Sequence, residues 1–204
     1  GTAGRWVGEG WSAAEPDGEG MGDRARRGAA KLRHLRADLA GVGVGGKGDT
    51  RMAKLEAGEA GASFLAAAGL DRLGEDAVGV RLDPEAWMPA PAQAAIGIEC
   101  RSDDARARDL LRAIDDAESH AEIAAERRLL EGLGGSCSSP IAALSRTSEG
   151  RIALSAAIFS PDGTVRIGDE SEFAAGDDEA PLALARALLG RAPSEVTAHF
   201  GQPL

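Results

Sequence analysis

The most constraining feature of this sequence is an apolar alternation that stops at a short turn and then resumes. Apolar residues stand at every second position on both sides of Ser160-Pro-Asp-Gly163: Ile152, Leu154, Ala156, Ile158, Val165 and Ile167. Side chains alternate between the two faces of a strand, so the pattern predicts two antiparallel strands with one buried face. Pro161 restricts φ in the turn and Gly163 supplies a positive φ. The sequence therefore predicts a β-hairpin here.

The segments next to the hairpin complete a small α+β domain. Residues 140–146 predict a third strand, and a helix over 178–189 buries its leucines against the sheet. A helix over 118–133 ends at Gly134 and Gly135, because glycine readily takes the left-handed conformation that ends helices. From about residue 117 onward we expect an α+β domain with a three-stranded antiparallel sheet.

The preceding part alternates helical patterns with short apolar runs, which is typical of an α/β layer with a largely parallel sheet. Helices are predicted over residues 23–39, 49–59 and 103–116, and buried strands over Ala62–Ala68 and Ala94–Cys100. The second strand would place Ile98 and Cys100 on one core face, which would shield the Cys100 thiol from reagents.

The two ends of this α/β part differ in texture from its middle. Residues 1–20 are rich in glycine and have no helical or alternating period, so they predict a remnant or a disordered segment. Pro84, Pro89 and Pro91 interrupt the pattern at the other end and predict a domain boundary.

Composition excludes several classes of protein. The formal net charge of the 204 residues is -10, which argues against nucleic-acid binding. No run approaches the ~18 apolar residues of a membrane span, and no signal-peptide pattern is present. The two cysteines, Cys100 and Cys137, are far apart and lack metal-ligand spacing. These features predict a reduced, cytoplasmic protein with no membrane association.

One stretch of this acidic chain is basic. Between Met21 and Leu39 there are six basic residues and only two acidic ones, Asp23 and Asp38. The basic residues are Arg24, Arg26, Arg27, Lys31, Arg33 and Arg36. Such a cluster is either a solvated helix face or a binding site for an anion, and its charge alone decides neither.

A glycine-rich loop offers a nucleotide-binding interpretation. Gly41, Gly43 and Gly46 form a G-x-G-x-x-G pattern, and Gly46-Lys47 has near P-loop spacing. Gly48 stands where a P-loop needs Ser or Thr for magnesium, and a helix is expected before the glycines where a dinucleotide site needs a strand. Nucleotide binding therefore remains a weaker alternative.

Cys137 lies in a loop of small residues between a predicted helix and a predicted strand, Gly134-Gly-Ser-Cys-Ser-Ser-Pro140. The end of a helix gives a thiolate no dipole stabilisation, and none of the three histidines has a spacing that pairs it with a cysteine. The loop is either incidental or a place with room for a bulky group beside the sulfur.

Five segments, taken in order, resemble the hydroxymethylbilane synthase (porphobilinogen deaminase) family. They match the family's stretches DTRLAKL…GE, LAAAGLKRLG, PAVGQGALGIECR and AER…GGCQVPI and its hairpin turn. The matching residues of this chain are, in the same order, Asp49–Leu55 with Gly58-Glu59, Leu65–Gly74, Pro89–Arg101, Ala125–Arg127 with Gly134–Ile141, and Ser160–Gly163. Their order and spacing run from about residue 20 to the end of the chain.

The resemblance implies three domains, the first two shaped like a periplasmic binding protein with the active cleft between them. Residues 21–88 would be the second domain, 89–116 a returning segment of the first, and 117–204 the third. The family is a transferase of tetrapyrrole biosynthesis, cytoplasmic and monomeric. It joins porphobilinogen units into a growing oligopyrrole chain, releases ammonia at each step, and frees hydroxymethylbilane by hydrolysis.

The resemblance also implies a set of binding residues. Cys137 corresponds to the attachment site of a dipyrromethane cofactor held through a thioether. Arg26, Arg27 and Arg51 would bind the cofactor, and Arg72 and Gln93 the substrate. Porphobilinogen carries acetate and propionate groups, and the planar fork of arginine suits carboxylates. The basic stretch would then be an anion site.

The chain departs from the family in ways that bear on activity. The family's Lys-Asp motif belongs to an N-terminal domain that finds no match in this sequence, so we assign no catalytic residue and expect a separate N-terminal domain as a partner. The family's RGN, GQG and CQVP are here Gly45-Gly46-Lys47, Ala92-Gln93-Ala94 and Cys137-Ser-Ser-Pro140. We expect the isolated chain to make no hydroxymethylbilane. The alternative is a non-catalytic module that binds anionic ligands.

Overall fold

The computed structural model describes residues 4–6, 20–22, 26–35, 37, 40–42, 46, 48–75, 77–93, 95–136 and 138–201 of the chain. Side chains are described from Gly28 onward, apart from residues 40–42. The described strands form two sheets, one in each half of the chain, and helices accompany both.

The first half is built on a five-stranded mixed sheet. Its strands are β1 (Gly4–Trp6), β2 (Gly20–Gly22), β3 (Ala40–Val42), β4 (Ala62–Ala66) and β5 (Val80–Arg81), in the spatial order β3-β2-β4-β1-β5. β2 runs parallel to β3 and β4, whereas β1 runs antiparallel to β4 and β5. The prediction of a largely parallel sheet therefore holds for one side only, because β1 inserts between β4 and β5 in the opposite direction.

β1 shows that residues 4–6, within the stretch predicted as a remnant or disordered segment, form a strand, whereas the expectation for residues 1–3 and 7–19 stays a prediction. Arg5 pairs with Leu65 on one side and with Arg81 on the other. Three residues are too few to show an alternating pattern, and the strand is held by backbone pairing that composition does not reveal. Residues 7–19 lie outside the described part of the chain.

Three helices accompany this sheet: α1 (Arg26–Leu35), α2 (Gly48–Glu56) and α3 (Ala67–Leu73). The first two confirm predicted helices with shorter bounds. The predicted buried strand at Ala62–Ala68 is also confirmed, since Ala62, Ser63 and Leu65 of β4 are buried. It ends two residues earlier than expected because α3 follows at once, and Gly74, in the left-handed conformation, ends that helix.

The predicted buried strand at Ala94–Cys100 is wrong. Residues 95–100 contain no strand, Ile96 is 89% exposed, and Ile98 is 57% exposed. Residues 96–100 form no backbone hydrogen bond with any described residue. An alternating apolar run becomes a buried strand only where a neighbouring strand and an apolar layer meet it, and the described chain supplies neither.

Two capped helices follow, α4 (Ala105–Arg112) and α5 (Ala117–Gly132). The Asp104 carboxylate accepts a hydrogen bond from the Ala107 amide at 2.9 Å, and Asp116 accepts one from the Ser119 amide at 2.8 Å. The second bond lowers the pKa of Asp116. The helix predicted over 103–116 is therefore shorter than expected, because Asp116 begins the next one.

The second half confirms the predicted α+β domain. Strands β6 (Ile141–Ser148), β7 (Arg151–Phe159) and β8 (Arg166–Ala174) form an antiparallel sheet, and helices α6 (Glu179–Arg191) and α7 (Ser194–Thr197) follow. Its core joins residues of α5, α6, α7 and the sheet, among them Leu129, Leu154, Ile158, Leu188 and Val196. Ile158 pairs with Ile167 across the predicted hairpin.

The two halves meet where the turn of that hairpin touches α1. Gly163 has φ +78°, and a Cβ placed on it would lie 2.5 Å from the Ala30 carbonyl oxygen. The Gly163 carbonyl oxygen lies 3.0 Å from His34 Nδ1, and Arg33 Nη1 donates to the Pro161 carbonyl at 2.9 Å. Only glycine permits this close approach of a turn to a helix.

Candidate functional site

The residues predicted to bind ligands lie on different elements of the first half. Arg26 and Arg27 are the first two residues of α1, and their side chains are outside the described part. Arg51 lies on α2 and Arg72, which is exposed, on α3. Gln93 lies in the loop between the two halves.

Arg51 has partners within the fold. Its Nε donates to the Gly46 carbonyl at 3.2 Å and its Nη1 to the Phe64 carbonyl at 3.0 Å, which ties α2 to the glycine loop and to β4. Arg72, by contrast, forms no hydrogen bond or ion pair with a described residue. The assignment of Arg51 to the cofactor and of Arg72 to the substrate stays a prediction.

The basic stretch between Met21 and Leu39 serves the fold in part. Lys31 is only 6% exposed, its Nζ donates to the Met88 carbonyl at 2.7 Å, and it lies 4.1 Å from the centre of a Trp87 ring. Arg33 bonds the hairpin turn, as described above. Two of the six cations therefore hold α1 in place, which neither interpretation of the cluster anticipated.

The loop of residues 89–93 is fastened to the second half at two points. The Pro89 carbonyl accepts a hydrogen bond from the Ala143 amide of β6 at 3.0 Å. The Ala92 amide donates to Glu126 Oε2 on α5 at 2.6 Å. Gln93 itself is exposed, and its Oε1 accepts from the Ala90 amide at 2.9 Å. The loop is thus a compact turn with its open side at Gln93.

Glu126 is a buried carboxylate that the sequence analysis did not single out. It is 7% exposed. Its Oε1 accepts from the Ser145 amide at 2.9 Å and from the Ser145 hydroxyl at 2.7 Å. The available signal was its position between Ala125 and Leu129 on the buried face of α5, where an acid is unusual without partners.

An open groove of about 880 Å³ runs beside this loop. Residues 95–100 form one wall, and α5 and β6 form another. Gln93 lines it, together with apolar side chains and several charged ones, among them Arg108, Arg127 and Arg146. Arg51 and Arg72 are not part of its lining. Its lining therefore combines apolar, polar and charged side chains.

The loop around Cys137 is ordered by serines on either side of it. The Ser136 amide donates to Ser139 Oγ at 3.0 Å, and the Ser138 amide donates to Ser136 Oγ at 3.3 Å. Ser136 and Ser138 are exposed, whereas Ser139 is buried. Cys137 lies outside the described residues, so its assignment stays a prediction.

The two glycines before this loop cannot be replaced without a clash. A Cβ on Gly135 would lie 2.4 Å from Cδ1 of Ile141. Gly134, at φ +60°, accepts a hydrogen bond from the Gly201 amide at 2.8 Å, and a Cβ there would lie 2.8 Å from the Gly201 backbone. The prediction that glycines end this helix is confirmed, and the contact with residue 201 is an addition to it.

Two expectations about other motifs are corrected. Cys100 is an exposed free cysteine rather than a core residue, because residues 95–100 are unpaired. The glycine loop follows the short strand β3, not a helix, and α2 begins after it. A strand and a helix do flank phosphate-binding loops, but the Gly46 carbonyl is bonded by Arg51 and Gly48 still lacks a hydroxyl.

Within the described residues, no helix is long and apolar enough to cross a membrane. No group of three or more His, Cys, Asp or Glu side chains in that part of the chain could hold a metal ion. The dominant chemical features are therefore arginines, the Gln93 loop and the serine-rich loop.

Two family models match the chain in order. Residues 10–109 match the porphobilinogen deaminase, dipyromethane cofactor binding domain, and residues 120–189 match the porphobilinogen deaminase, C-terminal domain. The first model names the cofactor that the resemblance implied. Together the two matches cover most of the chain.

Curated relatives agree with these matches. The chain is 45% identical to the porphobilinogen deaminase of Sphingopyxis alaskensis over 186 residues, which are 91% of this chain and 58% of the relative. It is 43% identical to the enzyme of Paracoccus denitrificans over 182 residues, 88% of this chain and 58% of that protein. The chain thus spans less than two thirds of the length of these relatives, and it belongs to the porphobilinogen deaminase family.

Proposed function

We propose that this chain supplies the cofactor-carrying part of a hydroxymethylbilane synthase, which polymerises porphobilinogen into the linear tetrapyrrole hydroxymethylbilane. The observation that carries the proposal is the ordered match to both family domains, at 45% and 43% identity to two of the relatives. The cofactor, when bound, supplies the pyrrole end that is lengthened. The chain's own residues hold it and hold the incoming carboxylates.

Cys137 is the proposed attachment site. It stands between Ser136 and Ser138, two exposed residues of a turn that serine–backbone hydrogen bonds order. Apart from Cys137 and Pro140, the residues of this loop are glycines and serines, whose small side chains suit a place where a bulky group is attached. Gly134, which has φ +60° and lies against the Gly201 backbone, keeps the start of the loop close to the domain core.

Arginines are proposed to hold the carboxylates, with Arg26, Arg27 and Arg51 toward the cofactor and Arg72 toward the substrate. Arg72 is exposed and makes no bond to a described residue, which suits a group that waits for a ligand. Arg51 uses Nε and Nη1 within the fold, which fixes its guanidinium and leaves Nη2 for a carboxylate. Gln93 would complete the substrate contacts from its loop.

A second polypeptide that carries a further part of the family's fold is the proposed partner. The relatives are longer than the part of them that this chain matches. Large apolar side chains are exposed between residues 96 and 114: Ile96, Ile98, Leu110 and Ile114. Ile96, Ile98 and Ile114 line one groove, and exposed apolar side chains that lie together mark an interaction site.

The partner would also supply an acid that stabilises the cationic intermediate, a role to which no described residue of this chain is assigned. An unstabilised cation in the transition state costs about 3–4 kcal/mol, or several hundredfold in rate, by comparison with the loss of one stabilising group in other enzymes. We propose that the chain works in the cytoplasm as a single copy beside this partner. The exposed thiol of Cys100 is compatible with a reducing compartment.

The decisive experiment is an intact-mass spectrum of the chain, expressed in cells that make porphobilinogen, with and without the N-terminal part of the Sphingopyxis alaskensis enzyme. We expect a discrete covalent adduct that Cys137→Ser abolishes and Cys100→Ser retains. We expect hydroxymethylbilane synthesis only in the presence of the added polypeptide. A chain that stays unmodified in both preparations would contradict the proposal and favour a non-catalytic binding module.

A further inference from the structure

We propose that Glu126 is a positioning residue, which holds the loop of residues 89–93 in the conformation that presents Gln93 to the groove. The inference rests on the proposed function, in which Gln93 contacts substrate. It adds a role for a buried acid that no part of that proposal uses. Three features of the described residues support this role: the bonds of Glu126, the backbone of Ala92 and the place of Gln93.

The bonds of Glu126 reach in two directions. Oε1 accepts from the Ser145 amide and hydroxyl at 2.9 Å and 2.7 Å, and Oε2 accepts from the Ala92 amide at 2.6 Å. No cation is paired with Glu126 within the described residues. A buried carboxylate without a cation depends on such N–H and O–H donors, and bonds to an ionised acceptor are stronger than neutral ones.

The residue that Glu126 binds in the loop has an unfavourable backbone. Ala92 has φ +55°, a left-handed conformation that a residue with a Cβ rarely adopts. Such a conformation persists only where surrounding bonds hold it, and it is found mainly at functional sites. The bond from the Ala92 amide to Glu126 is a direct restraint on this residue.

The strained residue immediately precedes Gln93. Gln93 Oε1 accepts a hydrogen bond from the Ala90 amide at 2.9 Å, and the Gln93 amide donates to the Ala90 carbonyl at 3.1 Å, so the turn closes on itself. Its outer side lines the groove. Release of the Ala92 amide would therefore change where the Gln93 side chain lies without disturbing the core of either half.

The chain offers a matched control one helical turn away. Glu122 also lies on α5, and its Oε1 accepts from the Thr147 amide of β6 at 2.7 Å. Glu122 and Glu126 therefore fasten the same helix to the same strand. Only Glu126 also reaches the loop, so a comparison of Glu126→Gln with Glu122→Gln separates loop positioning from the attachment of helix to sheet.

The first test needs no ligand. Amide hydrogen exchange, followed by NMR on the full chain, should show faster exchange at Ala92 in Glu126→Gln, by about tenfold or more, and no change there in Glu122→Gln. Glu126→Asp keeps the charge but is shorter by one methylene, so it should speed exchange at Ala92 as Glu126→Gln does. It serves as a second variant in case Glu126→Gln folds poorly. Equal exchange at Ala92 in all four proteins would overturn the proposal.

The second test measures porphobilinogen binding by calorimetry in a double-mutant cycle with Gln93→Ala. Glu126→Gln should weaken binding by about tenfold in the parent chain and have no further effect in the Gln93→Ala background. Ala92→Gly should restore part of the affinity of Glu126→Gln, because glycine needs no restraint at positive φ. A purely structural role for Glu126 would give additive losses and no such rescue, which would overturn the proposal.

The two tests also distinguish this inference from the proposed function. If Glu126→Gln speeds exchange at Ala92 but Gln93→Ala leaves porphobilinogen binding unchanged, the loop restraint stands and the substrate contact is wrong. In that case Glu126 is a structural residue and the positioning role is refuted.

Discussion

Two apolar stretches of similar pattern differ in burial in this molecule, since one is buried and the other is exposed. Ile152, Leu154 and Ile158 alternate along β7 and are buried, whereas Ile96 and Ile98 alternate along residues 95–100 and are exposed. The strand β7 has a neighbour on each side and a helical layer above it. Residues 95–100 have no such neighbours within the described chain. An alternating pattern thus reports which face of a segment is suited to burial, and a second surface has to be present before burial occurs.

The largest expected effect concerns the reactivity of the Cys100 thiol. A slow reaction would show that residues 95–100 are buried and that the two stretches do not differ. In a Cys137→Ser chain we expect Cys100 to react with a thiol reagent at a rate within about tenfold of that of a small free thiol, because it is exposed. A core thiol waits for unfolding and would react more than about a thousandfold more slowly. Binding of the proposed N-terminal partner should slow the reaction.

The second prediction compares one isoleucine from each stretch. Ile158→Ala should lower the free energy of unfolding by about 2–5 kcal/mol, because it opens a cavity at a fully buried site. Ile96→Ala should change it by less than about 0.5 kcal/mol. Urea denaturation of the full chain measures both. Equal losses would show that Ile96 is packed in solution and that the two stretches do not differ.

The third prediction compares two glycines, each in a turn between neighbouring strands of the sheet in the second half. Gly150 and Gly163 both have positive φ, but a Cβ on Gly150 meets nothing, whereas one on Gly163 meets the backbone of α1. Gly150→Ala should cost about 1 kcal/mol for the backbone alone. Gly163→Ala should cost about 1–3 kcal/mol more, because the turn and α1 must separate. Similar losses in urea denaturation would mean that the hairpin does not contact α1.

The smallest expected effect is a pH dependence at the same turn. Hydrogen bonds from the Ser160 hydroxyl and from Thr164 lower the pKa of Asp162 to about 2. Because the folded pKa lies below the unfolded one, this stabilisation is present above about pH 4 and is lost as the pH falls toward 2. Asp162→Asn should flatten the unfolding free energy over that interval, and an unchanged slope would contradict the assignment. Asp169→Asn is a control on the next strand.

Much of the second half could be predicted because its local patterns and its tertiary partners lie in the same stretch of chain. The hairpin at Ser160–Gly163, the third strand and the end of α5 at Gly134 are set by turn residues and by alternation. In the first half, β1 escaped prediction because a strand of three residues has no measurable period. It is recognisable only by its pairing with β4 and β5.

The candidate site was predictable only where the family resemblance reached it. Gln93 was identified in this way, but its neighbour Glu126 was not, because an acid in a helix is usually a surface residue. The restraint on Ala92 depends on a contact between residues 34 positions apart. Residue types at short spacing carry no information about such a contact.

The bond between Gly134 and Gly201 has a practical consequence for work on this protein. The Gly201 amide lies against the end of α5 at 2.8 Å from the Gly134 carbonyl, and Val196 of α7 is fully buried in the core. Residues far along the chain therefore anchor the loop proposed to carry the cofactor. Shortening the chain before residue 196, or a bulky affinity tag fused close behind residue 201, would disturb that loop from a distance.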